Sequence, residues 1–154
     1  MIYRVCKSFH VESGHMLSKH PGLCRYPHGH SRRIDVVLWR QALDPNEMVC
    51  DFKALKLAMA PVLKRLDHAM AINSRDPIRQ SLEAASGRLV VFEDQDPTTE
   101  VLARWVYEFL AAELAADKVY HDTSGVEYRF PQGVRLERVR VTETASTWAE
   151  YGQT

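Results

Sequence analysis

The segment that begins at His28 constrains the fold of this chain more than any other part of the sequence. Beyond the triplet His28-Gly29-His30, apolar and mostly polar positions alternate: Ile34, Val36 and Leu38 on one side, and Arg33, Asp35 and Trp39 on the other. An alternation with period two predicts a β-strand with one buried face. Because side chains two residues apart point to the same face of a strand, His28 and His30 share that face. The fold must therefore accommodate two converging imidazoles at the end of a buried strand.

Four further segments carry a periodic pattern. Asp51 is expected to cap the first of two helices, in which Pro61 removes one backbone donor and predicts a kink or a broken turn. Asp96 and Pro97 are expected to be the cap and the first residue of the second helix. The predicted elements are strands over residues 2–11 and 134–144 and helices over residues 52–66 and 97–115.

Two stretches between these elements are expected to be insertions around the core, at residues 74–95 and 117–133. The first contains a short apolar run at 89–92, and the second contains a Ser124-Gly125 turn that suggests a hairpin. No internal repeat, low-complexity tract or linker divides the chain. The sequence therefore predicts a single α+β domain over residues 1–154.

Composition argues against several kinds of partner. The 154 residues include 20 basic and 20 acidic side chains, so net charge favours neither nucleic acid nor a membrane surface as a partner. No apolar run approaches the roughly 20 residues that span a bilayer, and the N-terminus lacks an export signal, so a cytoplasmic protein is expected. Three cysteines, an odd number, indicate free thiols rather than a disulfide framework.

The histidines suggest a metal site. Neutral imidazole suits Zn²⁺, and a third histidine beside His28 and His30 would leave the open fourth position that catalytic zinc prefers. His15 is a candidate for this third ligand, but His10 and His20 also lie nearby, and composition does not decide among the three. The alternative is that these histidines are polar loop residues that bind nothing.

Cys24 lies four residues before His28, in a loop that contains two prolines. A nearby cation would favour its thiolate, which could then remove a proton from a substrate. From spacing alone, Cys24 could equally be a fourth zinc ligand or an inert thiol.

Two acidic positions each have a functional and a structural interpretation. Asp67-His68 ends the first predicted helix, where the pair could relay protons or where the histidine could simply cap the helix. Glu143 continues the face of Val139 and Val141, where a carboxylate needs a partner to offset its desolvation. That partner is either a guanidine-like edge of a ligand or an internal arginine.

Five short motifs, in register along nearly the whole chain, resemble one family. They are Cys24-x-x-x-His28-Gly29-His30, Val49-Cys50-Asp51-Phe52 with Leu55-Lys56, Leu66-Asp67-His68, Pro97-Thr98-Thr99-Glu100 with Leu102-Ala103, and Val141-Thr142-Glu143-Thr144. The chain resembles the 6-pyruvoyltetrahydropterin synthase and 6-carboxytetrahydropterin synthase family. The resemblance implies the tunnelling (T-) fold, a four-stranded antiparallel sheet with two helices on one face, assembled through trimers into a hexamer.

Carried over residue by residue, the resemblance implies Zn²⁺ as the cofactor and a role for each candidate. Family members place the first metal ligand at the end of a Glu-small-small-His run, which Glu12-Ser13-Gly14-His15 matches, so His15 is favoured over His10. The implied roles are zinc ligand for His15, His28 and His30, general base for Cys24, proton relay for Asp67 and His68, and pterin anchor for Glu143. Lys19, Arg25 and Arg32 are candidates for binding a triphosphate.

The implied function is that of a zinc-dependent lyase, 6-carboxy-5,6,7,8-tetrahydropterin synthase. It would convert 7,8-dihydroneopterin triphosphate to 6-carboxytetrahydropterin, acetaldehyde and triphosphate in queuosine-type biosynthesis. One alternative is a 6-pyruvoyltetrahydropterin synthase, which eliminates triphosphate without cleaving the side chain. The other is a non-enzymatic zinc- or pterin-binding module, in which Cys24 closes a structural tetrahedron with the three histidines.

Overall fold

The structure is a computed structural model that describes the backbone of residues 1–154 and every side chain except that of Ser86. Most of its strands form one six-stranded sheet, and the remaining two form a small separate hairpin. The elements in chain order are β1 (Tyr3–His15), β2 (His28–Arg40), α1 (Phe52–Leu66), β3 (Met70–Asn73), α2 (Arg79–Ser86), β4 (Leu89–Phe92), α3 (Thr99–Ala115), β5 (Tyr120–His121), β6 (Glu127–Tyr128), β7 (Arg135–Thr142) and β8 (Trp148–Gly152).

The main sheet has the strand order β4-β3-β1-β2-β7-β8. The expected antiparallel sheet of four strands is present as β1, β2, β7 and β8, each antiparallel to its neighbour. It is extended at one edge by β3 and β4, which run parallel to β1 and to each other. The α+β class is confirmed, but the sheet is larger than expected, and a third helix, α2, accompanies the two predicted ones.

One face of the sheet and two amphipathic helices form the core. Each leucine buried in this way stabilises the fold by about 1.5–3 kcal/mol relative to its exposed state. The strands contribute Ile34, Val36, Leu38, Val139 and Val141, α1 contributes Leu55, Met59, Val62 and Leu66, and α3 contributes Leu102, Val106 and Leu110, all of them buried.

The predicted helix over 52–66 is confirmed at both ends. The Asp51 carboxylate caps α1 by accepting a hydrogen bond of 2.7 Å from the backbone N–H of Lys53. Pro61 lies inside α1, and the helix continues through that residue without a break.

The predicted start of the second helix is wrong by two residues. The cap of α3 is Thr98, whose hydroxyl accepts from Val101 N at 3.3 Å, and the helix begins at Thr99. Asp96 is used differently, because its carboxylate accepts hydrogen bonds from the Ser18 hydroxyl and from the Asn73 side chain. The Asp96 side chain therefore connects the segment after β1 to the end of β3, and it is not the cap of α3.

The first insertion and the first strand extend beyond the predictions, whereas the second insertion agrees with its prediction. The stretch 74–95 folds into α2 and β4, and the predicted hairpin within 117–133 is formed by β5 and β6. The strand predicted over 2–11 continues to His15, because Gly14 pairs with Gly29 on β2. A Cβ atom at Gly29 would lie 3.3 Å from the Ser13 carbonyl oxygen, so a glycine allows this close approach.

No helix among the described residues has the length and apolarity that crossing a bilayer requires.

Candidate metal site

Three histidines meet at one end of the main sheet. His15 is the last residue of β1 and pairs with His28, the first residue of β2, while His30 follows two positions later on the same face. The ring centroids of His15 and His28 are 4.5 Å apart, and that of His30 lies 5.1 Å from His15 and 5.2 Å from His28. The pairing of two strand ends therefore brings together the three imidazoles that the sequence singled out.

Hydrogen bonds to the backbone fix the orientation of two of these rings. His15 Nδ1 lies 2.8 Å from the Pro97 carbonyl oxygen, and His28 Nδ1 lies 2.8 Å from the Tyr26 carbonyl oxygen. A carbonyl oxygen only accepts, so each Nδ1 carries the proton and each Nε2 keeps its lone pair. Backbone carbonyls thus select the tautomer in which Nε2 is available to a metal ion.

The Nε2 atoms of His28 and His30 are buried, and among the described residues neither has a hydrogen-bond partner. His30 Nε2 lies 3.2 Å from Glu143 Oε1, which is within ion-pair distance but lacks the alignment of a hydrogen bond. Buried nitrogen lone pairs without a donor are costly in an ordinary core, whereas a metal ion satisfies them. Three imidazoles are a ligand set that suits Zn²⁺.

The surroundings keep His15 and His30 in their neutral, metal-binding form. Burial lowers the pKa of His15 to about 4, the positive charge of Arg32 acts in the same direction, and the hydrogen bond to Pro97 opposes it. Burial and the charge of Arg32 also lower the pKa of His30, although Glu143 opposes this effect. Neutral imidazoles near pH 7 are ready to bind a cation without first losing protons.

Glu143 is the fourth residue of the cluster. The ligand atoms of His15, His28, His30 and Glu143 all lie within 4.8 Å of one another. Glu143 follows the last residue of β7, and its Oε2 accepts a hydrogen bond of 2.9 Å from the Thr99 hydroxyl. Burial alone would raise the pKa of Glu143, but the Thr99 hydrogen bond and the nearby histidines and arginine outweigh it, so the pKa is lowered. The carboxylate is therefore ionised and faces the imidazoles.

Arg32 is the site residue to which the sequence interpretation gave the wrong role. Only 1% of its surface is exposed, and its side chain donates to the hydroxyls of Ser13 and Thr99 and to the Thr142 carbonyl oxygen. The suggestion that Arg32 binds a triphosphate is wrong, because a buried guanidinium with these partners cannot reach a phosphate. The sequence contained a signal for this burial, because position 32 is an even number of residues from His28, His30 and Ile34. Its side chain therefore lies on the same, inward face of the strand. Lys19 and Arg25, the other two candidates, are exposed.

Neither of the other nearby histidines joins the cluster. His10 is exposed on β1, and His20 is exposed in the following loop, where its Nδ1 accepts from Gly22 N. Of the three candidates for the third histidine, only His15 has a ring nitrogen among the clustered ligand atoms.

Cys24 lies near the histidines in sequence but outside the four-residue cluster. It is half-buried in a short 3₁₀ turn, Leu23–Arg25, and its carbonyl oxygen accepts a hydrogen bond of 3.0 Å from Leu17 N. This bond closes the loop between β1 and β2. The fourth group beside the histidines is thus Glu143 rather than Cys24, and the arrangement does not favour a closed tetrahedron of three histidines and a thiolate.

Asp67 and His68 form a hydrogen-bonded pair just after α1. Asp67 Oδ2 lies 2.9 Å from His68 Nδ1, and Asp67 Oδ1 accepts from the backbone N–H of Glu12 at 2.9 Å. These two bonds lower the pKa of Asp67. The side chain of His68 is 73% exposed, so the pair lies at the surface and outside the metal cluster of its own chain.

Together, the fold and the site define an α+β protein with a candidate metal-binding group of three histidines and a glutamate at one end of a mostly antiparallel sheet. Residues 4–154 match the model of the family described as 6-pyruvoyl tetrahydropterin synthase. The chain belongs to this family of pterin synthases.

Relatives over the whole length bear related names. The chain is 26% identical over 170 residues to the 6-carboxy-5,6,7,8-tetrahydropterin synthase of Aquifex aeolicus, a match that covers 98% of both chains. It is 32% identical over 152 residues to the enzyme of that name from Synechocystis, with 96% of this chain and 91% of the relative covered.

Solved structures show the same fold. An uncharacterized protein from Wolinella succinogenes superposes with a TM-score of 0.78 at 22% identity, over 100% of this chain and 99% of the other. The 6-pyruvoyl tetrahydropterin synthase of Caenorhabditis elegans superposes with a TM-score of 0.65 at 21% identity, over 100% and 97%. The predicted T-fold is therefore confirmed.

Proposed function

We propose that this chain is a zinc-dependent 6-carboxy-5,6,7,8-tetrahydropterin synthase. It would convert 7,8-dihydroneopterin triphosphate and one water molecule into 6-carboxytetrahydropterin, acetaldehyde and triphosphate, and serve queuosine-type biosynthesis. The observation that carries the proposal is the cluster of three histidines, in which the buried Nε2 atoms of His28 and His30 lack a hydrogen-bond partner, beside an ionised Glu143. The names of the relatives from Aquifex aeolicus and Synechocystis support the carboxy product.

His15, His28 and His30 would hold the zinc ion through their Nε2 atoms. A bound zinc ion supplies Lewis acidity, which acidifies C–H bonds next to the substrate oxygens that it polarises. The backbone carbonyls of Pro97 and Tyr26 keep two of the rings oriented for this task. A carbonyl acceptor behind a ligand histidine also raises the basicity of its free nitrogen.

Glu143 would anchor the pterin ring. The amino-pyrimidine edge of a pterin presents two neighbouring N–H donors, and an ionised carboxylate accepts both in a bidentate, charge-assisted contact. The lowered pKa of Glu143 keeps it ionised near pH 7. Its position beside His30 would place the ring next to the metal, so that the side chain of the substrate reaches the ion in a fixed orientation.

Cys24 would act as the base that moves a proton on the substrate side chain. Its location in the loop between β1 and β2, outside the metal cluster, leaves its thiol free for that role. Asp67 and His68 would relay protons through their mutual hydrogen bond of 2.9 Å. The surface position of the pair suits exchange with solvent. We further propose a cytoplasmic hexamer built from two trimers, whose mass light scattering would measure.

Product analysis tests the proposal. The purified, zinc-loaded protein is incubated with 7,8-dihydroneopterin triphosphate, and acetaldehyde and triphosphate are measured together. We expect both in equal amounts. Triphosphate without acetaldehyde would identify a 6-pyruvoyltetrahydropterin synthase, the activity for which the matching family is named. Release of neither product, with zinc and pterin still bound, would identify a non-enzymatic binding module.

A further inference from the structure

Arg32 is the largest side chain that the fold buries completely. It lies on β2 between His30 and Ile34, on the face that carries the histidines and the core. Removing a guanidinium from water is costly unless its N–H groups are satisfied. Arg32 is a buried cation beside a candidate site for a second cation. Its hydrogen-bond partners must therefore account for its burial.

The Arg32 guanidinium connects four parts of the fold. Its Nε donates to Ser13 Oγ on β1 at 3.0 Å, and its Nη1 donates to Thr99 Oγ1 at 3.0 Å and to the Thr142 carbonyl oxygen at 3.2 Å. Its Nη2 lies 3.3 Å from Nδ1 and 3.4 Å from Nε2 of His15. Nη2 is thus almost equally far from the two ring nitrogens of His15, and both contacts are at the long end of hydrogen-bond distance.

The contact with Thr99 determines where the proton of that hydroxyl points. Thr99 is buried in the first turn of α3, and its oxygen receives an N–H from Arg32. A hydroxyl has one proton, which here goes to Glu143 Oε2 at 2.9 Å. Hydrogen bonds in such a chain polarise one another, so the arginine strengthens the bond that the threonine donates.

Arg32 also holds the backbone next to Glu143. The register of β2 and β7 places Ile34 opposite Val141. Two residues nearer the site, Arg32 on β2 therefore lies opposite Glu143, which comes just after the end of β7. The bond from Arg32 to the Thr142 carbonyl, together with the bond from Arg33 N to Thr142 Oγ1 at 2.8 Å, fixes the residue just before Glu143. Residues of β2 thus restrain the side chain of Glu143 through Thr99, and they restrain its backbone through Thr142.

We infer that Arg32 is a positioning residue, which acts through Thr99 to hold the Glu143 carboxylate at the rim of the histidine cluster. One Glu143 oxygen is fixed by Thr99, and the other lies 3.2 Å from His30 Nε2. The significance of this arrangement for pterin binding rests on the proposed function. Its geometric part, the placement of the carboxylate, does not depend on that function.

Substitutions at Thr99 and Arg32 test the inference. Thr99→Val removes the hydroxyl but keeps the shape of the side chain, and Thr99→Ser restores the hydroxyl. Arg32→Lys keeps a positive charge, but a single ammonium cannot replace the fork of N–H donors. Arg33→Lys is the matched control, because Arg33 is exposed on the opposite face of the same strand and its side chain bonds only to Asp35 among the described residues.

Binding is measured with biopterin, which has the pterin ring but no triphosphate to lose, by the quenching of its fluorescence. In Thr99→Val and Arg32→Lys we expect the Kd for biopterin to rise by about 10- to 100-fold, the effect of losing a charge-assisted hydrogen bond that holds the carboxylate in place. Thr99→Ser and Arg33→Lys should bind as the wild type does. Zinc affinity, titrated on the metal-free protein, should change much less than biopterin affinity in Thr99→Val.

Crystal structures of the wild type and Thr99→Val separate this inference from the proposed function. We expect the Glu143 carboxylate to leave its position beside His30 in Thr99→Val. An unmoved carboxylate in Thr99→Val would overturn the inference. If the wild type binds biopterin, an equal Kd in Thr99→Val would overturn it as well. If the wild type binds no biopterin and forms no product, the proposed function fails, and the position of Glu143 in the two structures still decides whether Arg32 and Thr99 hold it.

Discussion

The stability of the metal-free protein is expected to fall as the pH drops from about 7 to 4.5, and His15 is the main reason. The side chain of His15 is completely buried, and its pKa is lowered from 6.5 to about 4. The unfolded chain therefore takes up a proton in this range while the folded chain does not. A histidine with a lowered pKa contributes its full stability above the unfolded value and loses it as the pH falls toward the folded value.

The expected loss of stability follows from the lowered pKa of His15. One pKa unit is worth about 1.4 kcal/mol, so a fall from 6.5 to about 4 corresponds to about 3 kcal/mol. The groups around His15 act in known directions: Arg32 and the other two histidines disfavour its protonation, and the Pro97 carbonyl favours it. The lowered pKa of Glu143 matters only below the ordinary range of a glutamate, so its effect falls outside most of this window.

Urea denaturation of the chelator-treated protein, followed by tryptophan fluorescence, measures this dependence. We expect a loss of about 2–3 kcal/mol between pH 7 and pH 4.5 in the wild type and a much smaller loss in His15→Gln. His10→Gln is the matched control, since His10 is exposed on the same strand. A flat profile in the wild type, or equal flattening by His10→Gln, would refute the assignment of the effect to the buried imidazole.

Three further substitutions give distinct outcomes. Cys24→Ala should keep the zinc content and the melting temperature but abolish turnover; loss of zinc in metal analysis would instead make Cys24 a ligand. Glu143→Gln should weaken biopterin binding by about tenfold or more, because charge-assisted hydrogen bonds contribute about 1.5–3 kcal/mol, while urea denaturation changes little. A larger loss of stability than of binding would contradict the anchoring role. Thr98→Ala should destabilise the fold by about 1 kcal/mol in the same denaturation assay, because it removes the cap of α3. Thr123→Ala, in an exposed loop, is its control.

The long periodic elements were predictable because their patterns are local. The strand from His28, the helix over 52–66 and the inward position of Glu143 follow from spacing along the chain, and the structure has each of them. The convergence of His28 and His30 needs nothing beyond the alternation of a strand. The assignment of His15 depended on a family resemblance, and the geometry of the cluster agrees with it.

Elements that depend on distant pairing were not predictable in this way. β3 and β4 have four residues each, too few for a periodic pattern, and they form because a parallel edge is available beside β1. The cap of α3 was misplaced because the sequence does not show that Asp96 is engaged by Ser18 and Asn73. Arg32 was misassigned because arginine is usually exposed, and only its acceptors on three other segments make burial favourable.

The pairing of β1 with β2 has a consequence for the order in which the pocket assembles. All three histidines belong to one local hairpin, whereas Glu143 arrives with β7, more than a hundred residues later in the chain. During synthesis the hairpin is complete long before its carboxylate exists, and local pairings form faster than distant ones. Until Thr99 and Thr142 arrive, Arg32 lacks two of its acceptors and must remain hydrated. The three histidines of the hairpin are therefore synthesised first, and their surroundings are completed only when α3 and β7 have joined them.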